Sequence, residues 1–125
     1  MQLLESDETY LRDKGYNFEW FDSGTELYVI IHEVPLPNVY SVQSVDLLIK
    51  IPAGYPNAAL DMFWTHPRVT LANGQVPKGG DSTWEYAGKT WQRWSRHRQN
   101  TPWRPGVDCL ATHLLAIKNE ITKGI

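Results

Sequence analysis

The sequence predicts an α+β domain, a four-stranded antiparallel meander packed against a C-terminal helix. Three observations point there. Four extended, largely apolar segments follow one another with short turns between them. A Gly-, Pro-, Asn- and Trp-rich stretch, residues 66–105, then shows no long period, and an apolar stripe at helical spacing follows it.

Taken in order, residues 7–14 form a short polar helix candidate ended by Gly15. Residues 16–21 alternate, so that Tyr16, Phe18 and Trp20 share one face of a strand, and Asp22-Ser23-Gly24 turns the chain. Residues 26–33 hold the run Leu27-Tyr28-Val29-Ile30-Ile31, and residues 39–51 end in Val45-Asp46-Leu47-Leu48-Ile49-Lys50-Ile51; both read as strands. Pro35 and Pro37 lie between them and lack the N–H a ladder needs, so they mark a connection. Residues 60–65, with Met62, Phe63 and Trp64, supply the fourth strand. Successive strands joined by short turns pair as an antiparallel meander. The stretch from 66 to 105 is expected to be ordered, irregular and the carrier of function. In the terminal helix Leu110, Leu114, Ile117 and Ile121 fall on one stripe. Asp108 suits the N-cap, Lys118 and Lys123 suit the negative end of the dipole, and Gly124 is a stop.

The length of 125 residues with 42% apolar content, including six Trp, six Tyr and three Phe, fills one core, so residues 1–125 are read as one domain. No run of about 18 uncharged apolar residues occurs. Residues 1–14 carry Glu5, Asp7, Glu8 and Asp13 where a signal peptide needs positive charge and an apolar stretch. The expectation is a cytoplasmic chain without a membrane partner. The lone Cys109 excludes an internal disulfide and a multi-cysteine zinc site. The net charge of −2 is unevenly spread: six carboxylates and two basic residues up to Asp22, five basic residues and no carboxylate from Lys89 to Val107.

The order of several features resembles the ubiquitin-conjugating-enzyme family. They are Ile51-Pro52-Ala53-Gly54-Tyr55-Pro56-Asn57, a short strand into His66-Pro67, Asn73-Gly74, and Trp103-Arg104-Pro105-Gly106-Val107-Asp108 before a helix. Within that family it is similar to the bacterial (prokaryotic) branch, small proteins that work with an activating enzyme and a ubiquitin-like protein. The resemblance implies that fold and a carrier or transferase that accepts an acyl group and passes it to an amine. Its departures are specific. Arg68 stands where the family has an Asn after His-Pro, and residues 75–92 are an insertion. The position of the family's catalytic cysteine, counted back from Trp103, holds Ser95.

On this reading the catalytic candidates are Ser95, His97, Arg68, Asn73 and His66. Ser95 would accept the acyl group as an oxyester. A serine hydroxyl is protonated at neutral pH and needs a base within hydrogen-bond reach; His97 is nearest, and at i+2 it shares a face with Ser95 only on an extended backbone. Arg68 or Asn73 would steady the oxyanion, and His66 would shape the site entrance. Arg93, Arg96 and Arg98 surround Ser95, either as oxyanion or docking charges or as a solvated face.

Cys109 is the rival nucleophile, in the first turn of the last helix with His113 one turn on; the alternative is a half-buried packing residue. His66, His97, Cys109 and His113 lack recognised zinc spacing, so no metal or cofactor is expected. Two readings compete with the transferase. One is an inactive relative that binds a ubiquitin-like protein or an activating enzyme. The other is nucleic-acid binding by the basic aromatic stretch 89–104, against which Trp84, Trp91, Trp94 and Trp103 serve as well to hold an irregular segment together.

Overall fold

The structure is a computed structural model that describes residues 2–96 and 102–125. The elements run α1 (Glu5–Asp13), β1 (Phe18–Asp22), β2 (Glu26–Pro35), β3 (Ser44–Pro52), β4 (Phe63–His66), β5 (Ser82–Tyr86), β6 (Lys89–Trp94) and α2 (Leu110–Thr122). One sheet in the order β1-β2-β3-β4-β6-β5, antiparallel throughout, carries both helices on one face. The first four strands fall within or beside the expected segments, but β3 starts at Ser44, five residues later than expected, Pro35 pairs with Ser44 inside β2 instead of lying in the connection, and the sheet has six strands, not four. The stretch between β4 and α2 is therefore not irregular throughout.

The added pair is a hairpin. Tyr86 pairs with Lys89 across Ala87 and Gly88, both at positive φ (54° and 75°), which is the two-residue turn whose twist suits antiparallel strands. Alanine is uncommon in that conformation, and this is why the turn is inconspicuous in the sequence. Pairing sets Trp84 opposite Trp91 on one face of the hairpin and leaves Trp94 on the other.

α1 starts with Glu5, Asp7 and Glu8, placed favourably against the positive end of its dipole. It ends in a Schellman arrangement: Tyr16 N–H donates to Leu11 O (3.0 Å) and Gly15 N–H to Arg12 O (2.9 Å), with Gly15 at φ +75°. Phe18 and Trp20 pack against the core, as the alternation predicts; Tyr16 joins them from the turn before β1 and not from the strand. That core joins Leu11, Val29, Ile31, Leu47, Ile49 and Phe63 to the α2 stripe of Leu110, Leu114, Ile117 and Ile121. The α2 cap falls one residue later than expected. Cys109 is the N-cap, with Thr112 Oγ1 accepting its N–H (3.0 Å). Asp108 Oδ2 instead accepts the Arg104 N–H (2.8 Å) and closes the preceding turn.

The opposite face holds a second apolar cluster of Ile30, Leu48, Trp64 and Trp91, joined by Tyr28, Trp84 and Tyr86. Tyr28 on β2 and Trp84 on β5 have ring centroids 5.5 Å apart with three strands between them. A flat sheet would hold those strands about 19 Å apart, so the sheet curls and brings the hairpin over its own open face. Lys50 Nζ lies inside the curl, 4.0 Å from the Trp84 centroid and 4.3 Å from that of Trp64.

Asp7 ties α1 to α2. Its buried carboxylate accepts the Tyr55 hydroxyl (2.6 Å), whose oxygen accepts the Leu110 N–H at the start of α2 (2.8 Å). Burial raises the Asp7 pKa above 3.8, outweighing the opposing hydrogen bonds. For an acid raised in the folded state, protonation stabilises the fold. The contribution grows as pH falls from the raised value and is complete below 3.8. Asp7→Asn mimics the protonated form at every pH. The stability of the wild type relative to Asp7→Asn should therefore rise as the pH is lowered from 7 towards 4, read by thermal melts of both proteins. A difference that stays constant with pH would show that Asp7 does not titrate in this way.

Candidate functional site

The site is built where β6 ends. Trp94 is wholly buried, stacked on Phe63 (5.1 Å, 20°), with its indole N–H on Thr65 Oγ1 (2.8 Å). Ser95 follows, half-buried. Its N–H donates to Gly79 O (3.0 Å), and the Arg96 N–H returns to Trp94 O (2.9 Å) in a three-residue turn centred on Ser95. Gly79 lies so close that a Cβ there would stand 3.0 Å from Ser95 O.

Arg96 then locks the far side. Its side chain is 5% exposed; Nε donates to Lys78 O (3.1 Å), Nη1 to Glu120 O (3.0 Å) and Nη2 to Ile125 O, with the guanidinium 5.1 Å from the Trp94 ring centroid. Arg96 therefore joins β6 to the C-terminal end of α2, where its charge suits the dipole, and is not a solvated cation beside Ser95. Arg93 lies exposed on β6, with Nη2 3.4 Å from Ser82 Oγ, and Arg98 falls outside the described residues.

The segment after β4 lies alongside. Gln92, wholly buried, holds it with three hydrogen bonds. Its Oε1 accepts the Val69 N–H (2.7 Å), and Nε2 donates to Val69 O (3.0 Å) and Gly80 O (2.9 Å). On its other side the segment is tied to the β2–β3 connection by Ser41 N–H to Thr70 O (2.8 Å) and Ala72 N–H to Val39 O (2.6 Å). Arg68 is exposed next to the clamped Val69. Asn73 is exposed in its own turn, its Oδ1 accepting the Gln75 N–H (3.0 Å). Gln92, Gly79 and Arg96 were not recognised as builders of the site. The one sequence signal for Gln92 is a polar residue at the Trp94-facing position of an alternating strand.

Among the described residues no hydrogen bond joins Ser95, Arg68 and Asn73 to one another. His97 lies outside the described residues. The other three of the four histidines are engaged elsewhere. His66 Nδ1 lies 3.0 Å from Thr90 O with its ring against Trp91, and His32 Nε2 is 2.7 Å from Glu19. His113 is 4% exposed, with Nε2 3.1 Å from Met62 O, so it faces the strand layer while Cys109 sits half-buried at the cap. Cys109 thus precedes the helix instead of occupying its first turn.

The four tryptophans in and beside the basic stretch each pack against neighbouring residues. Trp91 and Trp94 are buried, Trp84 stacks on Tyr86 (5.0 Å, 7°), and the Trp103 indole donates to Pro56 O (2.9 Å) beside Tyr55. Among the described residues these rings contribute to packing, and Trp84 and Trp103 are only partly buried. Among the described residues no three His, Cys, Asp or Glu side chains gather as metal ligands would, and no helix is long and apolar enough to cross a membrane.

An antiparallel sheet backed by helices, with the Tyr-Pro turn, the His-Pro segment and the Trp-led terminal helix arranged around it, defines a conjugating-enzyme-like α+β domain. The chain belongs to prokaryotic E2 family E, whose sequence model matches residues 3–124. No curated protein and no solved structure matches it. Membership carries a conjugating-enzyme-like role with protein partners.

Proposed function

We propose that the protein carries and transfers a bacterial ubiquitin-like protein, with Ser95 as the acceptor and a separate activating enzyme as the donor. The observation that supports this most is mechanical. Ser95 is half-exposed on a backbone fixed by Gly79 on one side and by two buried side chains, Trp94 and Arg96, on the other.

In the loading step the Ser95 Oγ attacks the thioester carbonyl held by the activating enzyme. The Oγ–C bond forms, the C–S bond breaks, and the departing thiolate and the hydroxyl proton are both accounted for if a base takes the proton and returns it to sulfur. His97 is that base, since the other three histidines are committed to Thr90, Glu19 and Met62. Arg68 or Asn73 supplies the donor for the tetrahedral oxyanion, and His66 shapes the entrance. An amine then attacks the oxyester carbonyl: the C–N bond forms, the C–Oγ bond breaks, and the base carries the amine's proton to Oγ, restoring the Ser95 hydroxyl. A cytoplasmic setting accords with one unpaired cysteine.

Incubation with the cognate activating enzyme, ubiquitin-like protein and ATP should give a covalent adduct cleaved by hydroxylamine or mild base. Ser95→Ala should lose it by at least about a hundredfold, the scale of removing a nucleophile. Equal adduct from Ser95→Ala rules out this residue. A second reading, a non-catalytic binding module, draws on the Ser95 hydroxyl making no hydrogen bond to any described residue. It predicts complex formation with no hydroxylamine-sensitive adduct.

A further inference from the structure

A cavity of about 360 Å³ lies between α2 and the sheet and plays no part in the transfer chemistry above. Its walls are Ile31 and Val34 of β2, Leu47 of β3, and Leu114, Ile117 and Ile121 of α2. The β2 strand makes it. The register against β3 slips between Ile31 and Val34, with Glu33 at φ 54° and its N–H on Asp46 Oδ1 (3.2 Å), so that both apolar residues face the cavity. A regular alternation would have sent Val34 to the other face. α2 is held in place at its C-terminal end, where the Tyr40 hydroxyl donates to Ile121 O (2.6 Å) and Gly124 packs against Val39.

The rim carries its one charge beside Tyr16. Lys118 Nζ donates to the Tyr16 hydroxyl oxygen and lies 5.0 Å from the ring centroid. Accepting there, the phenol keeps its own hydrogen for another acceptor, and the ammonium keeps two more. Lys118 pairs with no carboxylate among the described residues. An unneutralised cation and a phenol donor thus stand together at the mouth of an apolar chamber within the size range of small-ligand sites, about 300–1,000 Å³.

We propose that this cavity binds a small amphipathic carboxylate. The aliphatic chain fills the apolar walls, and the carboxylate accepts hydrogen bonds from Lys118 Nζ and the Tyr16 hydroxyl. One positive charge and one neutral donor match a singly charged head group.

The probes are octanoate and octanol, titrated into the whole chain and followed by calorimetry and by amide shifts of the wall residues. Octanoate should bind saturably and more tightly than octanol. Lys118→Gln, at an exposed position, should weaken octanoate about tenfold and leave octanol unchanged. Thr122→Trp, also exposed and at the rim, should block both. Ser95→Ala should bind octanoate like the wild type, which separates this site from the transfer reading. The proposal is overturned if octanoate binds no better than octanol, if Lys118→Gln leaves octanoate unaffected, or if Thr122→Trp leaves both probes bound. Saturation by a peptide carrying an apolar residue beside its C-terminal carboxylate, with no octanoate binding, would overturn it in favour of a protein segment.

Discussion

Gln92→Leu is expected to destabilise the fold by about 4 kcal/mol, although leucine has nearly the same volume. The side chain is wholly buried and holds three backbone groups: the Val69 N–H, the Val69 carbonyl and the Gly80 carbonyl. Leucine removes every partner at once and lets no water in. Each buried group left unpaired costs about 1–3 kcal/mol, and the total is sub-additive where the segment can shift. That is a large share of the roughly 5–15 kcal/mol that holds an ordinary domain together. Gly80 limits the relief available, since a Cβ there would stand 2.9 Å from Gln92 Nε2 and the two were fitted to each other. Urea unfolding measures the loss, and hydrogen exchange should show the Val69 amide losing its protection first. A midpoint within experimental error of the wild type would mean that the clamp is dispensable.

Trp94→Ala should cost about 3–5 kcal/mol, the usual range for emptying a buried indole. Three contacts go together: the stack on Phe63, the hydrogen bond to Thr65 Oγ1, and the surface on which the Arg96 guanidinium rests. Trp94→Phe separates them. It keeps most of the stack, loses the hydrogen bond, and should cost about half as much. Because Ser95 lies between Trp94 and Arg96, even the milder variant should lower adduct yield in the conjugation assay while retaining some of it, unlike Ser95→Ala. Thermal melts and the adduct assay on the same preparations test both statements. Full adduct from a Trp94→Phe protein that melts several degrees low would show that the rigidity of the 94–96 segment is irrelevant to Ser95.

Much of the architecture was legible one segment at a time. The Leu110, Leu114, Ile117, Ile121 stripe and the Gly15 and Gly124 stops each depend on residues within a few positions of one another and are found as read, as is the shared core side of Phe18 and Trp20, although Tyr16 precedes the strand. The β5–β6 hairpin escaped because its turn is Ala87-Gly88, with no Asn or Asp to announce it, and because Gly and Pro around it masked the alternation. The cap of α2 was misplaced by one residue. Asp108 has the right chemistry, but its carboxylate is taken by the Arg104 N–H. Ser95 was singled out by its spacing from Trp103, whereas the residues that hold its backbone were invisible. Gly79 and Lys78 meet it or Arg96 across gaps of 16 and 18 positions, and Glu120 lies 24 from Arg96.

Local backbone preference and side-chain period determined which segments become the two helices and the first four strands, because those energies are settled among near neighbours in the chain, but their ends shifted by up to five residues. Only the tertiary structure decided which face each tryptophan occupies, that the sheet curls until Trp84 reaches Tyr28 and Lys50, and that Arg96 is a brace. These outcomes depend on strand order and on the burial of surfaces from distant segments against one another. Such terms have no local signature, since the same side chain is core on one side of a strand and surface on the other.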